Sequence, residues 1–91
     1  MTEFAYPHRI HPGIVLMDEF LRPLELSQNR LALDMRVPAH RISEIVRGKR
    51  RISADTALRL SLYFQTTAQF WLNLQMEYDL ANARIKLSEQ I

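Results

Sequence analysis

Residues 27–51 read SQNRLALDMRVPAHRISEIVRGKRR, and this stretch decides the fold. Ser27 is a good helix N-cap, because its hydroxyl can accept from the unpaired amides of a first turn. Leu26 before it and Leu31 inside it suit a hydrophobic staple, and Leu31, Ala32 and Met35 mark one inward face over a helix at about 28–35. A second helix is expected at about 38–46. Pro38 would open it at a first-turn position, Ile42, Ile45 and Val46 give an i, i+3, i+4 stripe, and Gly48 is a natural left-handed cap. Only Arg36 and Val37 separate the two. Helices joined by so short a link cross steeply, as in a helix-turn-helix.

Three more helices are expected around this pair. A helix at about 12–22 places Ile14, Met17, Phe20 and Leu21, with Leu24 just beyond it, at helical spacing, with Pro12 in the first turn and Pro23 as the stop. Residues 54–64 follow the N-cap Ser53 and put Ala57, Leu60, Ser61 and Phe64 on one face. A long helix then starts after Thr67 and runs to about Ser88, with no internal proline or glycine. The expected fold is therefore all-α, five helices in one domain over 11–91, preceded by a loose arm at 1–10.

Composition agrees and excludes much else. A chain of 91 residues makes one small domain. With 47% hydrophobic and 24% charged residues it has the balance of a folded chain, not a disordered one. There is no cysteine, so disulfides, thiolate metal sites and cysteine nucleophiles are excluded, as suits a reducing cytoplasm. No apolar run approaches the ~20 residues of a membrane span, and the N-terminus lacks the pattern of a secretory signal. A cytoplasmic, nucleoid-associated protein is expected.

The charge is uneven. Residues 36–51 hold six basic side chains (Arg36, Arg41, Arg47, Lys49, Arg50, Arg51) against one acid, Glu44, while the remainder of the chain carries six basic and nine acidic residues. Such clustering points to a polyanion. With Ile42, Ile45 and Val46 turned inward, the helix after the turn exposes Ala39, His40, Arg41, Ser43, Glu44 and Arg47. An α-helix fits the major groove and reads base edges from its N-terminal end. Ala39 offers a methyl for thymine, His40 a donor for guanine N7 or O6, and Glu44 an acceptor for cytosine N4. Arg47, Lys49, Arg50 and Arg51 follow where phosphates flank the groove. Ser27, Gln28 and Asn29 open the preceding helix, whose free amides suit a phosphate.

The stretches HPG (11–13), VPAHRISEIVRGKR (37–50), ISADTALRL (52–60) and FWLNLQ (70–75) together resemble the HigA (VapI-type) antitoxins, whose helix-turn-helix is akin to that of lambda-type repressors. The resemblance covers about Ile10 to Leu80. It implies a five-helix DNA-binding domain, a homodimer, repression of the protein's own operon, and neutralisation of a HigB-type, RelE-like toxin that cuts mRNA at the ribosome. It also implies that Gln28 binds a backbone phosphate and that Ala39, His40, Ser43 and Glu44 are the base readers. Arg36, Arg51 and Gln65 stand where the family often has glycine, so either Arg36 holds a left-handed conformation or the turn differs slightly.

Other chemistry finds no support. His8, His11 and His40 do not form a metal set: the first two flank prolines in the expected arm, and the third is on the groove face. Asp18, Glu19, Glu77 and Asp79 read as solvated surface. No Ser-His-Asp order, phosphate loop or HExxH stretch is present, so neither an enzyme nor a cofactor is expected. Phe70 and Trp71 read as core.

The long C-terminal helix carries two apolar stripes. Phe70, Trp71, Leu74, Tyr78, Ala81 and Ile85 form one, and Leu72, Met76, Leu80, Ala83 and Leu87 the other, with Gln75, Asp79, Asn82 and Lys86 on one edge between them. The second stripe is the expected dimer interface. Two other readings remain at this stage: a stand-alone regulator with no toxin, and a toxin-inhibiting module with vestigial DNA binding.

Overall fold

The computed structural model describes residues 10–90. His8 and all of the expected arm except Ile10 lie outside them. The described residues form five helices and no strand. Helix α1 opens over Pro12–Val15, widens to a π-turn over Leu16–Leu21 and closes over Arg22–Leu24. Helices α2 (Gln28–Met35), α3 (Ala39–Val46), α4 (Ala54–Phe64) and α5 (Ala68–Gln90) follow.

Helix α1 differs from its sequence reading in two ways. Pro23 does not stop it. The N–H of Arg22 reaches back five residues to the carbonyl of Met17, and this wider turn accommodates a ring that would collide with a carbonyl four residues back. The helix ends only at Glu25, in the left-handed region at φ 53°. The wider turn also rotates the buried face. Val15, Leu16 and Leu21 are buried, while Ile14 and Leu24 are exposed. A 3.6-residue period does not describe a segment that is not wound at 3.6.

Helices α2 to α4 follow the reading closely. Ser27 Oγ accepts from Arg30 N at 3.0 Å and Ser53 Oγ from Thr56 N at 3.2 Å. Pro38 proves to be the N-cap of α3, extended at ψ 143°, rather than its first helical residue. Arg36 is left-handed at φ 60°; Gln65 is too, whereas Arg51 is not. The core holds Leu16, Leu21, Leu31, Ala32, Met35, Ile42, Ile45, Ile52, Ala57, Leu60 and Trp71. Trp71 lies at its centre with no exposed surface, its ring 5.0 Å from Phe20 and its indole N–H donating to Thr66 Oγ1 at 2.8 Å.

The stripes of α5 need correction. Gln75, expected at an edge, is buried, and Ile85, expected inward, is exposed. Of the second stripe, Leu72 packs half-buried against the core, whereas Met76, Leu80, Ala83 and Leu87 face solvent. His11 also departs from its reading as part of an arm. It is buried, it caps α1 by accepting from Gly13 N at its Nδ1 (2.9 Å), and its ring meets that of Tyr78 edge-on at 5.0 Å.

Candidate nucleic-acid interface

The turn between α2 and α3 is closed by backbone bonds. Arg36 N donates to the Leu33 carbonyl at 3.1 Å and Val37 N to that of Ala32 at 3.0 Å, so Arg36 can reverse the chain in the left-handed region. Helix α3 is then fixed by Ile42 and Ile45, both fully buried. That burial sets the opposite face outward. Ala39, His40 and Arg47 are exposed, and Arg41, Ser43 and Glu44 are partly exposed beside them. Gly48, at φ 76°, ends α3, and Lys49 N donates back to the Glu44 carbonyl at 2.7 Å. The chain thus turns within three residues and sets Lys49, Arg50 and Arg51, all exposed, beside the end of the exposed face. Ser27 and Asn29, also exposed, and half-buried Gln28 stand at the start of α2.

The cations are not equivalent. Arg41 Nη1 lies 2.8 Å from Asp55 Oδ2, an oxygen that also accepts from Arg59 Nε at 3.0 Å. Arg59 Nη1 in turn donates to the Met35 carbonyl at 2.8 Å, at the end of α2. Hydrogen bonds from Arg59 and then Arg41 hold the Asp55 carboxyl below its ordinary range. Arg41 therefore ties α3 to the first turn of α4, and Arg59 ties α4 to the end of α2. Glu44 is not a bare acceptor on the groove face, since Arg50 holds its Oε1 at 2.8 Å. Arg51 Nη2 lies 2.8 Å from Asp79 Oδ2 on α5. Lys49 and Arg36 have no ion pair among the described residues. The face therefore presents His40 and Ser43 for donation and acceptance, Ala39 as a methyl, and a rim of cations, of which Arg50 and Arg51 are paired with carboxylates.

Two participants were missed by the sequence reading. Gln75 Oε1 accepts from the backbone N–H of Ile52 at 2.7 Å, so α5 holds the segment that follows the basic turn. Asp79 then accepts from Gln75 Nε2 at 3.0 Å. Gln75 lies one turn after Trp71, which sets it beside the buried face, but nothing in a glutamine marks it as buried.

Similar proteins carry the same architecture. The helix-turn-helix family profile matches residues 18–71, from the π-turn of α1 to Trp71. Virulence-associated protein I of Dichelobacter nodosus is 52% identical over 81 residues, which is 89% of this chain and 70% of that protein. Antitoxin HigA of Pseudomonas aeruginosa, solved with the higBA promoter, superimposes with a TM-score of 0.87 at 50% identity over 90% of this chain and 89% of its own. This chain belongs to the HigA antitoxin family of helix-turn-helix proteins. Antitoxin GraA in complex with its operator agrees at a TM-score of 0.84 and 37% identity, over 99% of this chain and 89% of that one. The HigA family is one of DNA-binding regulators rather than an enzyme class. No helix among the described residues is long and apolar enough to cross a membrane.

Proposed function

We propose that the chain is the antitoxin and autorepressor of a type II toxin–antitoxin operon. As a homodimer it reads a palindromic operator upstream of its own gene, with one α3 in each major groove, and it neutralises a HigB/RelE-like mRNA-cleaving toxin. One observation carries the DNA half of this reading. Two buried isoleucines fix α3 so that Ala39, His40 and Ser43 face outward at its N-terminal half, with Arg47, Lys49, Arg50 and Arg51 at its other end. Base edges would be read by the first group and phosphates held by the second. Ser27, Gln28 and Asn29 would hold a further phosphate at the start of α2. Likeness to antitoxins solved on promoter and operator DNA supports the same reading. On this reading the protein works on the nucleoid in the cytoplasm.

The test is binding to duplex DNA from upstream of the chain's own gene, against a random duplex, at several salt concentrations. Preference for the upstream DNA is expected. His40→Ala should weaken it by about 1–3 kcal/mol and relax the choice of one or two base pairs. Equal affinity for both duplexes sinks the repressor reading and leaves a toxin-inhibiting module. The toxin half is tested by expressing the small reading frame beside the gene. Growth arrest that this chain relieves is expected, and absence of any such frame leaves a stand-alone regulator.

A further inference from the structure

A chain of polar groups runs from the basic turn into α5. Ile52 N donates to Gln75 Oε1 at 2.7 Å, Gln75 Nε2 donates to Asp79 Oδ1 at 3.0 Å, and Asp79 Oδ2 accepts from Arg51 Nη2 at 2.8 Å. The two ends of this chain differ in kind. Gln75 is buried, and no buried polar side-chain atom among the described residues lacks a partner, so the amide is fixed. Arg51 and Asp79 retain 64% and 40% of their side-chain exposure, so their pair can open into water at little cost. A carboxylate is thus held at one oxygen by a rigid amide, and its other oxygen occupies a guanidinium on the phosphate-facing rim.

We propose that Asp79 sets the DNA affinity of the chain by competing with a DNA phosphate for Arg51, and that Gln75 is the positioning residue that aims it. The proposal rests on the DNA-binding reading above. A carboxylate and a phosphate offer the same guanidinium the same acceptor geometry, so Arg51 can serve only one of them. Non-specific binding draws its strength almost wholly from phosphate contacts, whereas operator binding also draws on base edges. Withholding one cation from a phosphate contact common to both therefore weakens random and operator DNA by a similar factor. Asp79 lowers the overall affinity, and its seat on α5 ties that affinity to the helix that carries the exposed apolar stripe.

The decisive variant is Asp79→Asn, which keeps an acceptor for Gln75 and removes the charge. Its affinity for a random duplex at low salt should rise about three- to fivefold, the share released from an exposed ion pair. The slope of log K against log salt should steepen by about one contact. In an Arg51→Ala background the same change should give no gain. Arg51→Ala alone should also cost less random-DNA affinity than Lys49→Ala, because Lys49 has no carboxylate to leave among the described residues. A gain that persists without Arg51 means Asp79 merely repels DNA, and a loss or no change in Asp79→Asn means it is a strut; either overturns the proposal. Gln75→Glu tests the aim separately, since it retains an acceptor for Ile52 N but cannot donate to Asp79. It should move the salt slope in the same direction as Asp79→Asn, and an unmoved slope removes Gln75 from the proposal. If the unaltered protein binds no duplex in a salt-dependent way, the DNA-binding reading itself has failed, a result distinct from any of these.

Discussion

Gly13 in α1 and Ile45 in α3 meet backbone to backbone: a Cβ on Gly13 would overlap the Ile45 carbonyl oxygen and stand 2.7 Å from its carbon. Helix α1 therefore rests directly on the end of α3, at the turn that launches Lys49, Arg50 and Arg51. A glycine in a helix is ordinarily improved by alanine, by roughly 0.5–1 kcal/mol. Here Gly13→Ala should do the opposite and destabilise by about 1–3 kcal/mol, as overpacking does. Urea unfolding measures it, and a midpoint equal to or above that of the unaltered protein contradicts the contact.

His11 makes stability depend on pH. Burial holds its imidazole below the ordinary 6.5, against the upward pull of the Asp79 carboxylate. The neutral form is also the one that can accept from Gly13 N. As pH falls, the unfolded chain takes up the proton first. The contribution of His11 is therefore whole above about pH 6.5 and is lost as pH falls through the lower folded-state value. His11→Asn keeps a capping acceptor but does not titrate. Between pH 7.5 and 5 the unaltered protein should lose more unfolding free energy than this variant, with the unfolding of both followed in urea. Equal losses would show that the buried ring is not the titrating group.

What the sequence disclosed and what it withheld have physical reasons. The helix-turn-helix was legible because Ser27, Ser53, Pro38 and Gly48 punctuate it locally, and Ile42 and Ile45 repeat at an ordinary helical period. The left-handed Arg36 was legible only through resemblance, since nothing in an arginine announces φ 60°. The π-turn of α1 was hidden because apolar spacing assumes a regular helix. His11 and Gln75 were hidden because a polar side chain is buried only when tertiary partners satisfy it, and those partners, Gly13 N for one and Ile52 N for the other, become visible with the fold. The ion pairs of Arg41, Arg50 and Arg51 were hidden for the same reason, so the count of cations overstated the charge open to DNA.

Lys49 and Arg50, adjacent in the chain, should therefore behave differently. Lys49→Ala removes one cation and should reduce the salt slope by about one contact, with operator and random DNA weakened alike. Arg50→Ala removes a cation and also strips Glu44 of the guanidinium 2.8 Å from it, leaving a bare carboxylate on the groove face. It should cost more affinity than Lys49→Ala, and the double change Arg50→Ala with Glu44→Gln should recover part of the loss. Binding curves at two salt concentrations decide between these outcomes, and equal losses for the two single variants would deny the pairing any role.

The exposed stripe of α5 predicts how the protein assembles. Met76 is 49% exposed, Leu80 40% and Leu87 57%, and every residue from Ala83 to Gln90 is exposed. A helix on the outside of a small domain needs one buried stripe, and α5 supplies that with Trp71, Gln75 and Ala81. A second apolar stripe left in water would be a liability. A two-fold mate packed along it would complete a symmetric dimer and set two reading helices about 34 Å apart on one face of DNA, one helical turn. Leu72 is already half-buried against the core, so the interface is expected to centre on Met76, Leu80, Ala83 and Leu87. Met76→Glu combined with Leu80→Glu should give a folded monomer, because neither side chain is needed inside. That monomer should bind the operator far more weakly, since it engages one half-site. Sedimentation of the unaltered protein should report a dimer and that of the variant a monomer with unchanged helical content. A variant that still sediments as the dimer would move the interface off α5 and leave the stripe for the toxin.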